Sequence, residues 1–415
     1  MNQKVSLETA RDLLLDSAVP VSLSKVPLLN AVGRVLSSDI SAGKNVPHFR
    51  KSAMDGYAVI AEDTGKASVA HPVCLTVMEE IRAGFTARNS VSQGTSIKVM
   101  TGAPIPLGAD SVVKWEDVVR QNNTITVSHV LRTNDNIVSI GEDVKQGDIV
   151  ALKGAMVTPP LIAVFASLGL KRIPVYRKLK IAIFSTGDEL SDLSDPLEIG
   201  KIYNSSLYGL YTRCKEIGTN PVNMGICPDV QEITAARIEQ SLEQSDMVIT
   251  TGGTAGGDYD VVKNSILLAG GHVLFQRVDI KPGALMIAAV KNGKYIIGLS
   301  GSPAAAMVAF DLIVIPLIKK LMGINEVLPL KSQGTMADRF TKSSPNRRIL
   351  CARLLWRDGK NMFKLNGGQS NGTLMSMIGC NVMIDIPAGS GPIEAGQLVT
   401  GYLTGSFEQV DSAEY

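Results

Sequence analysis

Thr250-Thr251-Gly252-Gly253-Thr254-Ala255-Gly256-Gly257-Asp258-Tyr259-Asp260 is the stretch on which the reading of this chain turns. It follows the apolar run Met247–Thr250, which reads as a buried strand. It precedes residues 261–268, which read as a helix with apolar positions at Val262 and Ile266. A strand, a glycine turn and a helix together build an anion cradle. The glycines let backbone N–H groups approach a phosphate, and the helix N-terminus adds a favourable dipole. Asp258 and Asp260 at its mouth would repel a phosphate unless a cation stood between. The stretch therefore predicts a metal–phosphate site.

The same grammar extends on both sides of it. From about residue 178, strands (180–184, 221–225, 247–250) alternate with helices (207–217, 230–243). That alternation predicts a doubly wound, mostly parallel α/β sheet, whose ligands bind at the carboxyl ends of the strands. Phe184-Ser185-Thr186-Gly187-Asp188-Glu189-Leu190 is a second turn at such an end. Its acids read either as a solvated charged turn or as hard oxygen ligands for Mg²⁺. A second acid turn in the same domain favours the ligand reading. Residues 285–300 predict a hairpin about Asn292-Gly293, which suits a type I′ turn. Ser302-Pro303 opens a helix to about 322, kinked at Pro316.

The flanks read differently. Residues 6–18 carry Leu7, Ala10, Leu14 and Ala18 at helical spacing. Residues 47–145 are short β runs between Gly, Pro and Asn turns, and 157–170 return to a helical pattern. The expected division is a discontinuous domain (1–46 with 146–177) in which 157–170 packs with the first helix, and a β-rich insertion (47–145). The α/β domain (178–325) and a C-terminal β-rich domain (326–415) complete it.

Composition narrows the function. With 415 residues the chain buries a large core without disulfides. Its five cysteines form no Cys-x-x-Cys pair, which predicts reduced thiols and a cytoplasmic location. A net charge of +2 without like-charge blocks gives no case for nucleic acid or membrane surfaces. The opening residues are polar and do not read as a signal peptide, and the apolar run 304–318 is too short to span a bilayer. Four isolated histidines argue against a His-based metal cage or a Ser-His-Asp triad.

Further motifs are modest one by one. Ser52-Ala53-Met54-Asp55-Gly56-Tyr57 reads as a turn feeding a strand, and Met100-Thr101-Gly102-Ala103-Pro104 as a stiffened loop. Gly141-Glu142-Asp143 is a short acidic turn. Lys281 in Ile280-Lys281-Pro282-Gly283 reads equally as a snorkelling lysine or as a charge facing an oxyanion. Arg347 and Arg348 read by default as a solvated pair.

In this order the motifs closely resemble the molybdopterin molybdenumtransferase family, MoeA and the E domain of gephyrin, over about residues 6–405. The resemblance implies a four-domain homodimer. Its active site would lie between the α/β domain and the β domain of the other subunit. It implies that molybdate and adenylylated molybdopterin are the substrates, that Mg²⁺ assists and AMP is released, and that a molybdopterin adenylyltransferase is a partner. Glu189, Asp229 and Asp260 fall on the family's acidic positions, with Glu189 and Asp260 on the metal side. Asp55, Thr101 and Asp143 match the facing β domain. Lys281 and Arg347 match oxyanion-binding positions. Thr186, Gly187, Gly252, Gly253, Gly256, Gly257, Asp258 and Ser302 make up the expected phosphate cradle. The chain also departs from the pattern. Ala284 replaces a second lysine after Lys281-Pro282-Gly283, and Ser300 and Ser302 flank Gly301 where Pro and Asn are usual. Asn371 replaces a serine, Arg50-Lys51 an Asp-Asn pair, and Val138-Ser139 arginines. Loss of one cation about 4 Å from a dianion forfeits on the order of 1–4 kcal/mol, enough for a tenfold weaker metalate site. An altered transferase and a non-catalytic molybdopterin-binding scaffold are the two readings.

Overall fold

The computed structural model describes residues 4–254, 261–357, 359–370 and 372–405. Asp258, Asp260, Gly256, Gly257 and Asn371 lie outside the described residues. At the centre is a seven-stranded sheet. Its elements in chain order are β1 (Lys4–Val5), α1 (Leu7–Asp16), β2 (Lys180–Thr186), α2 (Ser205–Glu216), β3 (Asn220–Cys227), α3 (Gln231–Gln244), β4 (Met247–Thr251), α4 (Val261–Leu268), β5 (His272–Val278), β6 (Leu285–Lys291) and β7 (Lys294–Leu299). The strand order is β1-β5-β6-β7-β4-β2-β3. β7, β4, β2 and β3 run parallel, as do β1 and β5, while β6 is antiparallel to both neighbours. The sheet is therefore mixed. The β6–β7 hairpin inserts the antiparallel pairings through Asn292 (φ 51°) and Gly293 (φ 74°), as a type I′ turn requires.

Strand periodicity sends successive side chains to opposite faces. Ile181, Ile183, Met247, Ile249 and Ile297 pack with α1, α2 and the long helix that begins at Pro303. Ala182, Phe184, Val248 and Ile296 pack with α3 and α4. Both faces are covered, which is why these strands are continuously apolar.

α1 differs from the expectation. It packs on the α/β sheet, with Leu7, Ala10 and Leu14 in that core, and β1 adds to the sheet edge. The helix Pro159–Ser167 packs instead with residues from 26 to 40 and from 150 to 175. An apolar stripe on one helix fits any apolar surface, so spacing alone could not choose between the two. A polar contact marks the observed choice. The long helix runs as Pro303–Ala309, a π-helical stretch Phe310–Val314, and Ile315–Leu321. Pro316 has no N–H, so the Leu312 carbonyl four residues earlier loses its helical donor. Buried Arg11 of α1 supplies one, its Nε donating to Leu312 O at 2.6 Å, and its guanidinium lies 5.0 Å from the Tyr402 ring centroid. Pro316 is thus accommodated by a widened turn and a borrowed donor.

The inserted domain is a six-stranded sheet, in order Ser111–Lys114, Gly56–Val59, Thr95–Val99, Val73–Ile81, Thr124–Val127, Val118–Gln121. The C-terminal part is a closed five-stranded barrel: Lys331–Met336, Lys360–Leu365, Arg348–Arg357, Val382–Ile386, Leu398–Leu403. Arg213 of α2 joins the barrel to the long helix. Its Nε donates to Asp311 at 3.0 Å, one terminal nitrogen to Glu216 at 2.7 Å, and the other to the Thr404 carbonyl at 2.7 Å. No helix among the described residues is long and apolar enough to cross a membrane.

Two predictions follow from these contacts. Arg11→Leu should lower stability by about 2 kcal/mol, the scale of a charged hydrogen bond. Pro316→Ala in that background should recover part of the loss by restoring a backbone donor to Leu312, read as a non-additive urea-denaturation cycle. Burial pushes the Asp311 carboxyl up to about 6, outweighing the attraction of Arg213. The folded chain then holds a proton that the unfolded chain releases between pH 3.8 and about 6, so stability falls as pH rises through that window. Asp311→Asn should remove this slope, about 3 kcal/mol across the window, in urea midpoints measured from acid to neutral pH.

Candidate active site

The glycine turn leaves β4 beside the end of β2, and the two backbones nearly touch. A Cβ on Gly252 (φ 88°) would stand 2.0 Å from the Thr186 carbonyl oxygen. One on Gly253 (φ 61°) would stand 2.9 Å from the Thr186 methyl and the Val262 side chain. Only glycine permits this approach and these dihedrals. Thr186 itself is buried, and its hydroxyl donates to Asp229 at 2.5 Å. Asp229 N–H in turn donates to Asp188 at 3.3 Å. Glu189 and Asp229 are both exposed at the strand ends. Lys201 donates its ammonium to the Asp188 carbonyl and holds the second acid turn in place.

A shallow recess of about 40 Å³ opens here, lined by Thr186, Glu189, Asn204, Thr251, Gly252 and Gly301 among others. Below it, Ser185 donates to Asn204 at 2.9 Å and lies 2.7 Å from the Thr251 hydroxyl. Asn204 also caps α2 by accepting from Leu207 N–H at 3.3 Å. Sequence reasoning missed Asn204. Its signal is an Asn immediately before a helix at a strand-end turn.

A second recess of about 320 Å³ lies beyond the Leu299–Pro303 turn, lined by Lys281, Ala284, Ser300, Lys4, Arg277 and Asn346 among others. Gly301 and Pro303 face the first recess and Ser300 the second, so one turn is their shared wall. The Gly301 carbonyl accepts from Ser206, and Ser300 Oγ accepts from Ser302 N–H at 3.2 Å. Ser302 stands at the N-cap, yet its own hydroxyl makes no capping bond. Lys281 is exposed, and its backbone pairs with the barrel: its N–H donates to Arg347 O at 2.9 Å and its carbonyl accepts from Ile349 at 2.8 Å. Lys4 and Arg277 were missed because β1 pairs with β5, placing Lys4 opposite Arg277. Lys4 is paired with Asp279 at 2.8 Å.

The guanidinium of Arg347 points elsewhere. It grips Asp385 with Nε at 2.8 Å and one terminal nitrogen at 2.6 Å, reaches Glu8 at 2.8 Å, and touches the Tyr402 hydroxyl at 3.0 Å. These hydrogen bonds, those donated to Asp385 foremost, raise its pKa further. For Glu8, partial burial pushes the carboxyl up, but the bond and charge of Arg347 outweigh this and leave it below the ordinary range.

Asp55, Thr101 and Asp143 lie in the inserted domain, and none lines either recess. Asp55 accepts from Thr101 N–H at 2.7 Å and from its hydroxyl at 2.8 Å, which together hold the carboxyl below its ordinary pKa. Asp143 is exposed, after a turn whose Gly141 N–H donates to Pro47 O at 2.9 Å. A further cavity of about 730 Å³ lies between α2 and the barrel, and none of the predicted site residues lines it.

A recess at the ends of the sheet strands thus lies across one turn from a cleft lined by Lys281, Lys4 and Arg277. Family models agree along the chain. The MoeA N-terminal region (domain I and II) matches residues 5–169, the "Probable molybdopterin binding domain" residues 182–320, and the MoeA C-terminal region (domain IV) residues 333–403. The chain is 33% identical over 408 residues to a molybdopterin molybdenumtransferase of Staphylococcus epidermidis, covering 98% of this chain and 97% of that one. Two MoeA structures from Pyrococcus horikoshii superpose on it. One has a TM-score of 0.85 at 28% identity, covering 97% of this chain and all of the other. The second has a TM-score of 0.82 at 31% identity, covering 96% and 99%. The chain belongs to the MoeA family of molybdopterin molybdenumtransferases.

Thr101→Val should raise the Asp55 pKa toward that of a free carboxyl by removing the hydroxyl bond while leaving the backbone one. Carbon-detected NMR titration of the Asp55 carboxyl measures it, and an unchanged titration would refute the assigned pairing.

Proposed function

We propose that this chain acts in molybdenum cofactor biosynthesis, transferring molybdenum from molybdate to adenylylated molybdopterin with release of AMP. The observation that carries the reading is the single Leu299–Pro303 turn with a glycine–acid phosphate cradle on one side and a cationic cleft on the other. A substrate spanning the turn would bring its phosphates and an oxyanion together. Thr251, Gly252 and the Gly301 turn seat the phosphates. Thr186 holds Asp229 in position. Lys281, with Lys4 and Arg277 nearby, attracts the metalate, and positioning with charge compensation supplies the catalysis.

Glu189, Asp229 and Asp188 offer the hard oxygens that Mg²⁺ takes, while among the described residues no three His, Cys, Asp or Glu side chains form a group that could hold a metal by themselves. Mg²⁺ prefers one or two carboxylates with phosphate oxygens and water. Glu189 and Asp229 would hold it, with Asp260 as a third carboxylate, and there it would neutralise charge on the bridging phosphates. Arg347 acts from outside the cleft. By gripping Asp385 and Glu8 it fixes the strand whose backbone carries Lys281. Asp55, Thr101 and Asp143 would complete the site from a second subunit of a homodimer in the cytoplasm, supplied by an adenylyltransferase partner. The units proposed are 19–46 with 146–177, the insertion 47–145, residues 178–325 with the first eighteen residues, and the barrel from 326.

Purified chain given adenylylated molybdopterin, Mg²⁺ and molybdate should release AMP in a metalate-dependent manner. Glu189→Gln and Asp229→Asn should each slow this by about 10²-fold or more. Ala284→Lys should tighten apparent metalate affinity about tenfold, since a cation near a dianion is worth on the order of 1 kcal/mol or more. Tight adenylate binding without metalate-dependent AMP release at millimolar metalate would instead establish the scaffold reading.

A further inference from the structure

Four sulfur side chains converge at the junction of the barrel with the α/β domain, away from both recesses. Cys351, on strand Arg348–Arg357, pairs directly with Met383 of Val382–Ile386. Such partners project from the same face with Cβ atoms about 5 Å apart. Met377 closes the helical turn Leu374–Met377, and its Sδ lies 3.3 Å from Cys351 Sγ. Cys380 follows that turn. Its thiol interacts with that of Cys351, and its Sγ lies 3.5 Å from the Val382 carbonyl oxygen. All four belong to one apolar core. Cys351 and Met383 are buried, whereas Met377 and Cys380 are half-buried. The cluster therefore has a dry floor and a side open to solvent. Both cysteines are free thiols.

Filling this space would need only apolar volume. The chain instead gathers two thiols and two thioethers. Thiolate and thioether together are the ligands of soft ions, Cu(I) above all, whereas Mg²⁺ and Ca²⁺ require oxygen. A disulfide would use the cysteines alone and leave the close Met377 contact without a purpose. We propose that Cys351, Cys380 and Met377, with Met383 in the same core, form a binding site for a soft monovalent cation, Cu(I). Metal–sulfur bonds of about 2.3 Å set sulfurs roughly 4 Å apart around a shared ion. The 3.3 Å contact would therefore open by less than an ångström. Binding exchanges the thiol protons for the ion and releases them to solvent. No electron is transferred.

The test uses the reduced full-length chain under anaerobic conditions, titrated with Cu(I) buffered by bicinchoninate. The expected result is one tightly held equivalent per chain, with sulfur-only coordination by X-ray absorption. Cys351→Ser and Cys380→Ser should each weaken retention about tenfold or more, and Met377→Leu less. Cys74→Ser removes an exposed thiol in the inserted domain and should change nothing. Urea midpoints verify that each variant is folded. The proposal fails if the wild type retains no more copper than the Cys351→Ser/Cys380→Ser double variant. It fails equally if copper coordination shows nitrogen or oxygen ligands that survive both substitutions.

Discussion

The constraint that shapes the site is backbone against backbone, where Gly252 passes the Thr186 carbonyl with room for hydrogen and nothing larger. Everything at the site follows from that contact. It brings the ends of β2 and β4 together, and so brings the acid turn at 187–189 beside the glycine turn. Gly301 then packs against Gly252, its own missing Cβ only 3.4 Å from the Gly252 Cα. Three chain segments meet there at backbone distance, and the Gly252 N–H donates to the Leu299 carbonyl at 3.2 Å.

A second set of contacts fixes the cleft from the other side. Arg11 repairs the carbonyl that Pro316 leaves without a donor, and Arg347 ties Glu8 of the same helix to Asp385 and Tyr402 of the barrel. α1 is therefore clamped between the long helix and the barrel. β1 precedes it directly, so the clamp also sets where Lys4 stands beside Arg277. The cationic wall of the cleft joins Lys4 and Arg277, residues from distant parts of the α/β domain's chain path.

The central sheet was legible because its signals are local. Apolar strands, glycine turns and Asn292-Gly293 each state their geometry within a few residues, and the observed strands extend the expected ones by only one to three residues. Glu189, Asp229, Thr186 and the two glycines meet because they all sit at strand ends, which an alternating β/α pattern announces. The errors were non-local. α1 went to a different partner than expected because an apolar stripe specifies burial and not neighbour. Arg347 matched an anion-binding position by order of motifs, yet its fork is occupied by carboxylates that lie 38 residues later and near the N-terminus. No spacing rule relates Arg347 to Glu8.

The replacement of a lysine by Ala284 looks in sequence like the loss of a metalate subsite. In the fold Ala284 lines a cleft whose walls still carry Lys281, Lys4 and Arg277. Charge that the motif lacks is present from strands the motif does not include. Lys4 is partly offset by Asp279, so its field on the cleft is weaker than that of a lone ammonium. The net effect is a site with cations set at its rim in place of one at position 284. A rim charge contributes mainly to capture of a dianion and less to holding it desolvated. Position 284 therefore carries no cation, while the cleft beside the strand-end recess is still lined by Lys281, Lys4 and Arg277.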